Sequence, residues 1–342
     1  MSDTIERKFV CTGASISVER VSKSFGKVRA LNELSLKVDP GTVFALLGPN
    51  GSGKTTIVRI LTTLLRPDSG TAHVGDYDVV RDGQSIRAII GLAGQYPAVD
   101  ENLTGKENLE MIGQLYHLGR HKARMRSSEL LETFELADAG NRRVKTYSGG
   151  MRRRLDLAAT LVASPPILFL DEPTTGLDPR SRLGLWEVIS QQAKSCNTVF
   201  LTTQNLEEAD RLANKIAIMD NGKVIREGSS QDLKNCCGGD THVKIKLTDR
   251  SRTLEAVEVL RELGKENVHG DPETGEVSLP AVGGASILAD VVRRIDAANI
   301  NVAELGLKQP TLDDVFLAIT GRTAEQENAV NKSAMKAQQA NK

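Results

Sequence analysis

The octapeptide Gly48-Pro49-Asn50-Gly51-Ser52-Gly53-Lys54-Thr55 decides the fold predicted for this chain. It fits the pattern G-x-x-x-x-G-K-[ST], which is the phosphate-binding P-loop. The apolar run at residues 42–47 predicts a buried strand immediately before it. The apolar residues that follow recur at helical spacing and are Ile57, Ile60, Leu61 and Leu64. The pattern therefore lies between a strand and a helix, as the motif requires.

The chemistry of this loop predicts a nucleoside triphosphate ligand. Its glycines let the backbone turn several N–H groups toward phosphate oxygens, and the following helix adds partial positive charge. We expect Lys54 to reach the β- and γ-phosphates and Thr55 to offer its hydroxyl to Mg²⁺. The alternative is a glycine-rich turn that matches the pattern by chance, and the predicted strand and helix on its two sides disfavour it. The loop does not indicate what the energy is used for.

Composition and charge restrict the class of protein. Hydrophobic residues make up 39% and charged residues 26% of the 342 residues, which is ordinary for a soluble globular protein. The formal net charge of +0 produces no global attraction to nucleic acid or anionic lipid. No apolar run approaches the roughly 18–20 residues that span a bilayer, and the N-terminus has no apolar signal core. We therefore expect a cytosolic chain whose membrane work would need another subunit. The four cysteines fit neither a disulfide framework nor a zinc pattern.

Two isolated residues upstream and downstream of the P-loop are candidates for the site. Phe25 lies in a predicted loop between strand-like stretches at 16–18 and 28–38. It is interpreted either as a stacking platform for adenine or as a hydrophobic plug at a strand end, and the local pattern does not choose between them. Gln95 follows another strand-like stretch and by itself is weak evidence.

A second glycine pair predicts a second anion site. Helical patterns occupy residues 102–144, where Thr104 and Glu107 form a capping box. Ser148 can then cap the next helix while Gly149 and Gly150 expose its N–H groups, by the same physics as the P-loop. The run of three arginines at 152–154 can touch phosphate or a partner, although such a run is more often a solvated helix face.

Polar side chains follow two buried strands. The strand at 166–170 ends in Asp171 and Glu172, and its apolar residues on both faces indicate a central parallel strand. Ligands of such sheets bind at the carboxyl ends of the strands. We expect Asp171 to hold Mg²⁺, directly or through water, and Glu172 to polarise the attacking water. The strand at 197–203 ends at Gln204.

The next helix opens with acidic residues, and the chain then changes character. Glu207 and Glu208 suit the positive N-terminus of that helix. Beyond a composition shift at 228–239, strands and helices alternate as β-α-β-α-β with room for one more strand, close to the ferredoxin-like motif. The Ala-, Gln-, Asn- and Lys-rich end predicts disorder.

Taken together, these parts resemble the ATP-binding subunit of an ABC transporter. The resemblance covers about residues 15–230 and rests on the order of an aromatic loop, the P-loop, a Gln loop, a Ser-Gly-Gly signature, an acidic strand end and a D-loop. It implies an α/β fold, a P-loop NTPase of the ABC ATPase type with a helical subdomain, plus a smaller C-terminal α+β ferredoxin-like domain. The predicted domains are a flexible arm at 1–14, the ATP-binding domain at 15–230 with its helical subdomain at about 100–160, an accessory domain at 240–321 and a disordered tail at 322–342.

Within that family the chain is similar to the ATP-binding subunits of daunorubicin/doxorubicin-type drug efflux. This similarity rests on the segments 93–95, 99–105, 202–210 and 309–321. Gln204 stands where the general family has His and where this subgroup commonly has Gln. The amide can hydrogen-bond a phosphate oxygen or water but accepts no proton at neutral pH, so proton transfer falls to Glu172. The signature reads Tyr-Ser-Gly-Gly-Met instead of Leu-Ser-Gly-Gly-Gln, with its Ser-Gly-Gly core intact.

The resemblance implies a role for each matching residue. Lys54, Glu172 and Gln204 would be catalytic, and Thr55, Gln95 and Asp171 would bind Mg²⁺. The residues implied in ATP binding are Phe25, Gly48, Pro49, Asn50, Gly51, Ser52, Gly53, Lys54, Thr55, Thr56 and Gln95. The signature residues, which act on the ATP of a second copy, are Ser148, Gly149, Gly150 and Met151. Asp178 would belong to the D-loop.

The resemblance also implies partners. Two copies would face head to tail and sandwich ATP between the P-loop of one and the signature of the other, with Phe25 stacked on adenine. Hydrolysis would part them and drive alternating access in separate transmembrane permease subunits, which would dock around Gln95 and the helical segment. The chain would then be peripheral on the cytoplasmic face of the cell membrane, with no nucleic-acid partner.

Other functions remain open or are disfavoured by particular features. The same ATPase can serve lipid or polysaccharide export. A soluble ABC-type ATPase acting on DNA or ribosomes is disfavoured because the chain lacks a long coiled coil, carries one cassette and has zero net charge. A GTP switch would need Asn-Lys-x-Asp, and the sequence at 214–217 lacks the acid.

Overall fold

The computed structural model describes residues 14–95, 98–195, 197–236, 241–264, 268–281, 286–308 and 311–320. The chain divides into two compact units, with the boundary between Ser230 and Gln231. The predicted arm at 1–14 lies outside the described residues except for Ala14, and the predicted tail at 322–342 lies outside them entirely.

The first unit is built from two sheets and the helices that cover them. Its strands are β1 (Ile16–Phe25), β2 (Val28–Val38), β3 (Val43–Leu47), β4 (Ser69–Val74), β5 (Tyr77–Asp78), β6 (Ile90–Ala93), β7 (Ile167–Asp171), β8 (Thr198–Thr203), β9 (Lys215–Asp220) and β10 (Lys223–Gly228). Its α-helices are α1 (Lys54–Leu61), α2 (Gly83–Ile89), α3 (Gly105–Leu115), α4 (Arg120–Thr133), α5 (Gly149–Thr160), α6 (Pro179–Lys194) and α7 (Leu206–Leu212).

The larger sheet positions the site. Its strand order is β10-β9-β3-β8-β7-β6, and β9, β3, β8, β7 and β6 run parallel while β10 is antiparallel to β9. Every residue of β3, β7 and β8 is buried, as the continuous apolar runs predicted. Because these three strands are neighbours, the groups that follow their carboxyl ends meet at one edge.

A smaller antiparallel sheet of order β2-β1-β4-β5 completes the core of the first unit. Its apolar face packs with α1 and the larger sheet in one hydrophobic cluster. Within that cluster the rings of Phe44 and Phe200 stack with centroids 5.4 Å apart. Aromatic stacking of this kind stabilises a pair of rings beyond the burial of their apolar area. Strands β3 and β8 are therefore held together by this stacking as well as by their backbone hydrogen bonds.

The helical segment between β6 and β7 begins with the predicted capping box. The Thr104 hydroxyl accepts from the Glu107 N–H, and the Glu107 carboxylate accepts from the Thr104 N–H. Helices α3 and α4 then pack closely, since a Cβ at Gly113 would lie 2.7 Å from the Cβ of Ala123. Loss of an N-cap side chain costs about 1 kcal/mol, so the box contributes directly to the start of α3.

The second unit has the ferredoxin-like order. It begins with α8 (Ser230–Cys236), and its strands are β11 (His242–Leu247), β12 (His269–Asp271), β13 (Glu276–Pro280) and β14 (Val302–Lys308). Its other α-helices are α9 (Thr253–Gly264), α10 (Ser286–Ala297) and α11 (Leu312–Thr320). The antiparallel sheet has the order β12-β13-β11-β14, in which β12 takes the place left for one more strand. No helix in the described parts of either unit is long and apolar enough to cross a membrane.

Candidate nucleotide site

The P-loop joins β3 to α1 and leaves the start of that helix open. Gly53 has φ +109°, and a Cβ there would lie 2.4 Å from the Ala30 carbonyl oxygen of β2, so only glycine fits. Gly53 is also the N-cap residue of α1 and supplies no side-chain cap. The first N–H groups of α1 are therefore available to an anion, as the sequence predicted for a phosphate.

Lys54 and Glu172 approach each other across the site. The Lys54 ammonium donates to the carbonyl oxygens of Gly48 at 2.8 Å and Pro49 at 2.9 Å, and its Nζ lies 3.4 Å from the Glu172 carboxylate. Only 4% of the lysine side chain and 9% of the glutamate side chain are exposed. The fold thus brings together two predicted catalytic residues that are far apart in the sequence.

The three predicted Mg²⁺ ligands also meet. The Thr55 hydroxyl donates to Asp171 Oδ1 at 3.3 Å, and Gln95 Nε2 donates to the same hydroxyl at 3.1 Å. A hydroxyl, an amide and a carboxylate are oxygen-bearing groups of the kind that Mg²⁺ prefers. The donor set fits Mg²⁺.

Two further polar atoms are buried beside the site. Ser52 Oγ in the P-loop and Gln204 Oε1 after β8 have no hydrogen-bond partner among the described residues. Buried polar groups are usually paired, and an unpaired one commonly marks a position where a ligand or water binds. Both atoms belong to residues for which the sequence predicted contact with the nucleotide or the attacking water.

The backbone at Glu172 is strained. Its φ of +49° places a non-glycine residue in the left-handed region, which costs about 1–2 kcal/mol. The Glu172 N–H donates to the Thr202 carbonyl at 3.0 Å, and the Thr175 hydroxyl donates to its carboxylate at 3.2 Å. Strain of this kind persists only where the surroundings hold it, and it gathers at functional sites.

Thr202 is a site residue that sequence reasoning missed. It is fully buried on β8, its hydroxyl donates to Asp171 Oδ1, and its hydroxyl oxygen also lies 3.2 Å from the Glu172 N–H. It therefore orients both carboxylate residues at the end of β7. The only signal in the sequence was a threonine near the carboxyl end of a strand that also has threonines at positions 198 and 203.

The three arginines after the signature differ, and the prediction of a solvated face is wrong for one of them. Arg152 pairs with Glu101 and Arg154 with Glu135 at partly exposed positions. Arg153 is only 6% exposed and donates to four backbone carbonyl groups. The missed signal was an aspartate three residues further along the same apolar helix.

That aspartate, Asp156, is also buried and lies 3.3 Å from the Arg153 guanidinium. Burial raises the pKa of Asp156, while the N–H of Ala98 and the charge of Arg153 oppose the shift. Burial likewise lowers the pKa of Arg153, against the attraction of Asp156 and the nearby Asp171. The two charges compensate each other in an apolar setting where neither would be tolerated alone.

The signature and the D-loop are neighbours within the chain. Ser148 caps α5 by accepting from the Met151 N–H at 3.2 Å, as predicted. Asp178 caps α6 by accepting from the Ser181 N–H at 3.0 Å, and the hydrogen bonds from Ser181 lower the pKa of its carboxyl group. A Cβ on Gly150 would lie 2.9 Å from the Ser181 hydroxyl. The partners of the signature therefore lie in α5 and at the start of α6, and not in the P-loop.

Phe25 is the last residue of β1 and does not lie in a loop, in contrast to the prediction. It pairs with Val28 across a tight hairpin, and 49% of it is exposed. The Lys23 ammonium lies 5.9 Å from the ring centroid. Ala30, whose carbonyl approaches Gly53, is two residues beyond Val28 on β2, so the hairpin belongs to the P-loop side of the unit. A half-exposed ring is not a buried plug.

These features define the class of protein. The fold is an ATP-binding cassette, which is a kind of P-loop NTPase. Its marks are a P-loop at the start of a helix, two acidic residues at the end of a strand, and a second helix start with a cap residue and two glycines, all on a largely parallel sheet. The family model described as ABC transporter matches residues 31–175. The chain is 26% identical to the cassette MJ0796, solved as a dimer in a post-hydrolysis state bound to ADP and Pi; the match covers 63% of this chain and 98% of that one with a TM-score of 0.58.

Relatives that match this chain along most of their length identify the group within the family. The daunorubicin resistance ATP-binding protein DrrA2 of Streptomyces coeruleorubidus is 48% identical over 93% of this chain and 98% of its own length. The doxorubicin resistance ATP-binding protein DrrA of Mycobacterium tuberculosis (strain ATCC 25618 / H37Rv) is 46% identical over 90% and 93%, respectively. The chain belongs to the ABC transporter family, in the group of these drug-resistance ATP-binding proteins. It is an ATP-binding subunit with ABC-type ATPase activity.

Proposed function

We propose that this subunit powers the efflux of a hydrophobic drug or natural product through separate transmembrane permease subunits. The observation that carries this proposal is the 48% identity to a daunorubicin resistance protein along 98% of that protein's length. The match spans 317 residues of this chain and therefore includes most of the second unit, so the similarity extends beyond the cassette that many ABC proteins have in common. The cytoplasmic face of the cell membrane is the location that follows from this role.

The contacts of the site support a division of labour among its residues. Thr55, Gln95 and Asp171 would hold Mg²⁺, which when bound neutralises charge on the β- and γ-phosphate oxygens. Lys54 binds the same phosphates through its ammonium. Glu172, held close to Lys54, would take a proton from the attacking water as its oxygen bonds to the γ-phosphorus, since Gln204 can orient that water but cannot take its proton.

A second copy of the chain completes each site. The N–H groups that Ser148, Gly149 and Gly150 present at the start of α5 would contact the γ-phosphate bound by the other copy, and Met151 and Asp178 flank that contact. Around Gly149 nothing lies within 4 Å of the position a Cβ would take, so the loop is open to an approaching ligand. The dimeric state of the MJ0796 cassette supports this arrangement.

The permease subunits would dock on the helical subdomain near Gln95. On α3 and directly after it, Met111, Leu115 and Tyr116 are 38%, 70% and 42% exposed, respectively. Exposed apolar side chains on one helix suit contact with a partner protein. The zero net charge supports the absence of a nucleic-acid partner.

Glu172→Gln tests the mechanism. The amide keeps the shape of the side chain but takes no proton, so we expect ATP hydrolysis to slow by about 100-fold or more. ATP should then hold two copies together, and gel filtration with ATP and Mg²⁺ should show a dimer that the wild-type protein forms only transiently. The control is Glu187→Gln, a change at an exposed position of α6. A monomer at saturating ATP would contradict the sandwich mechanism.

Drug export is tested in cells. The subunit and a candidate permease subunit are expressed together in a drug-sensitive bacterial host, and intracellular daunorubicin fluorescence is followed after loading. We expect faster loss of daunorubicin than with Glu172→Gln expressed at the same level. If the pair hydrolyses ATP normally yet exports no drug, lipid or polysaccharide export becomes the better proposal, and lipid release into the medium is measured next.

A further inference from the structure

Arg153 lies at the centre of a buried group of backbone carbonyls. Its Nε donates to the carbonyl oxygen of Pro173 at 2.8 Å, and its Nη2 donates to those of Asp171 at 3.2 Å and Glu172 at 3.3 Å. These three consecutive residues are the end of β7 and its continuation, and they include both carboxylates of the site. One edge of the guanidinium therefore holds the backbone from which those carboxylates project.

The other edge of the guanidinium holds the segment that carries Gln95. Arg153 Nη1 donates to the carbonyl oxygen of Gly94, immediately before Gln95, and contacts Asp156 Oδ2 at 3.3 Å. Asp156 Oδ1 accepts from the N–H of Ala98 at 2.7 Å, beyond Gln95. Arg153 and Asp156 thus bind the backbone before and after Gln95, at Gly94 and Ala98, respectively.

Both charged side chains stand on the helix that begins at the signature. Arg153 and Asp156 lie in α5, whose N-cap is Ser148, and their side chains are 7% and 3% exposed, respectively. A guanidinium is planar and presents five N–H donors in a fixed fork, so it can satisfy several acceptors only in one arrangement. A shift of α5 is therefore passed to the Gln95 segment and to the end of β7 together.

The hydrogen bond from Arg153 to the Glu172 carbonyl matters because the backbone of Glu172 is strained. Its φ of +49° needs support from its surroundings. The Thr202 carbonyl accepts from its N–H on one side, and Arg153 donates to its carbonyl on the other. Without Arg153 the second of these supports is lost, and the carboxylate direction is free to change.

We propose that Arg153, braced by Asp156, is a positioning residue that sets the geometry of Glu172 and Gln95 according to the position of the signature helix. This inference rests on the proposed roles of Glu172 and Gln95. In this role Arg153 acts on Glu172 and Gln95 through the two backbone segments to which its guanidinium donates. Closure of a second copy on Ser148 is thereby linked to alignment of the site in the same chain that carries this serine.

The first test is Arg153→Gln in the full-length protein. We expect kcat to fall about 10- to 100-fold, because misplacement of a catalytic group by about 1 Å can have an effect of this size. The Kd for ATP, measured by equilibrium dialysis with radiolabelled ATP in EDTA, should change by less than about threefold, since the P-loop is untouched. Because bound ATP is hydrolysed more slowly, an ATP-dependent dimer should accumulate on gel filtration. Asp156→Asn should have the same effects to a smaller degree.

The matched control is Arg126→Gln. Arg126 also braces α5, since its Nη2 donates to the carbonyl of Leu161 at 3.0 Å and to the Ser164 hydroxyl at 3.2 Å. It reaches neither Gln95 nor Glu172. We expect this change to lower the melting temperature without lowering kcat or trapping a dimer. An equal loss of kcat in Arg126→Gln would overturn the inference, because it would show that any loosening of α5 suffices.

Two further variants separate positioning from folding. Removal of one member of a buried ion pair can destabilise a chain strongly, whereas replacement of both by apolar residues is often tolerated. The double change Arg153→Met with Asp156→Leu should recover the melting temperature but not kcat. Arg153→Lys keeps the charge with fewer, differently directed donors and should also lose kcat while folded. Wild-type kcat in either folded variant would overturn the inference.

Glu172→Gln is measured in parallel to distinguish failure of the proposed role of Glu172 from failure of the positioning role of Arg153. If Glu172→Gln neither slows hydrolysis nor traps a dimer, the proposed role of Glu172 fails, and the inference about Arg153 falls with it. If Glu172→Gln traps the dimer and Arg153→Gln hydrolyses ATP at the wild-type rate, only the positioning role of Arg153 is overturned.

Discussion

At the scale of single residues, the exposure of Phe25 is the feature that bears on nucleotide affinity. The ring stands half exposed at the end of β1, close to the part of β2 that touches the P-loop. An apolar ring exposed beside an anion site gains little from its own fold and is free to contact a base. Stacking of a base on an aromatic ring contributes about 1–3 kcal/mol.

Phe25→Ala should therefore weaken ATP binding by about 5- to 150-fold, which is the range that this stacking energy corresponds to. The melting temperature without nucleotide should change little, because the ring is not part of the core. Equilibrium dialysis with ATP measures the Kd, and Phe25→Trp should retain the affinity. Val28→Ala is the control, since Val28 is the exposed partner of Phe25 in the hairpin. Unchanged affinity in Phe25→Ala would show that the ring has no contact with adenine.

At the scale of elements, a buried hydrogen bond joins the helix after the D-loop to the helix after Gln204. Trp186 on α6, the one tryptophan of the chain, donates from Nε1 to Glu208 Oε1 on α7 at 3.0 Å. Glu208 lies in the first turn of α7, as predicted, but it is fully buried, which the sequence did not indicate. The guanidinium groups of Arg182 and Arg211 each lie 5.4 Å from the Trp186 ring.

This glutamate makes stability depend on pH. Burial raises the pKa of Glu208, against the hydrogen bond that its carboxylate accepts from Trp186. A pKa above that of the unfolded chain means that the folded state binds the proton more tightly. The stabilisation is therefore complete below the ordinary glutamate value of 4.5 and is lost as pH rises through the folded pKa.

Glu208→Gln should remove this dependence and keep an oxygen for the Trp186 hydrogen bond. We expect the melting temperature of the wild type relative to the variant to fall as pH rises from 4.5. At pH 8 the melting temperature of the variant should be equal to that of the wild type or higher by up to about 2–4 °C, which is the shift produced by about 1 kcal/mol in a domain of this size. Fluorescence of Trp186 follows the transition, and Glu207→Gln at the exposed neighbouring position is the control. A melting-temperature difference that is constant with pH would contradict this account.

At the scale of the whole molecule, the two units have separate hydrophobic cores. The core of the first is formed by residues between 16 and 219, and that of the second by residues between 243 and 300. Units with their own cores commonly fold alone. The assignment of 240–321 as an accessory domain stays a prediction.

A chain that ends at Ser230 should test that assignment. We choose this end because Leu233 of α8 is buried and the boundary between the two units, after Ser230, lies before it. We expect cooperative unfolding by circular dichroism and at least about half of the wild-type ATPase activity, since all site residues are retained. The fragment 231–342 should fold without ATPase activity. Complete loss of hydrolysis in a folded truncated chain would show that the second unit belongs to the catalytic machinery.

The sequence by itself determined the features that depend on local chemistry. The P-loop, the capping box at Thr104, the cap at Ser148 and the buried strands before Asp171 and Gln204 follow from motif spacing and from the periods of helix and strand. The order of motifs then identified the family, and the neighbouring parallel strands explain why their ends converge.

Only the tertiary structure decided which charged side chains are buried. Arg153 and Glu208 lie in segments whose local pattern is typical of exposed helix positions, and their burial depends on carbonyls, a tryptophan and strand ends that are distant in the sequence. The same holds for Thr202 and for the short strand β12, whose places are set by partners on other strands. Burial and pairing are properties of packed elements, and the free energy of a charge depends on those neighbours and not on the residue type.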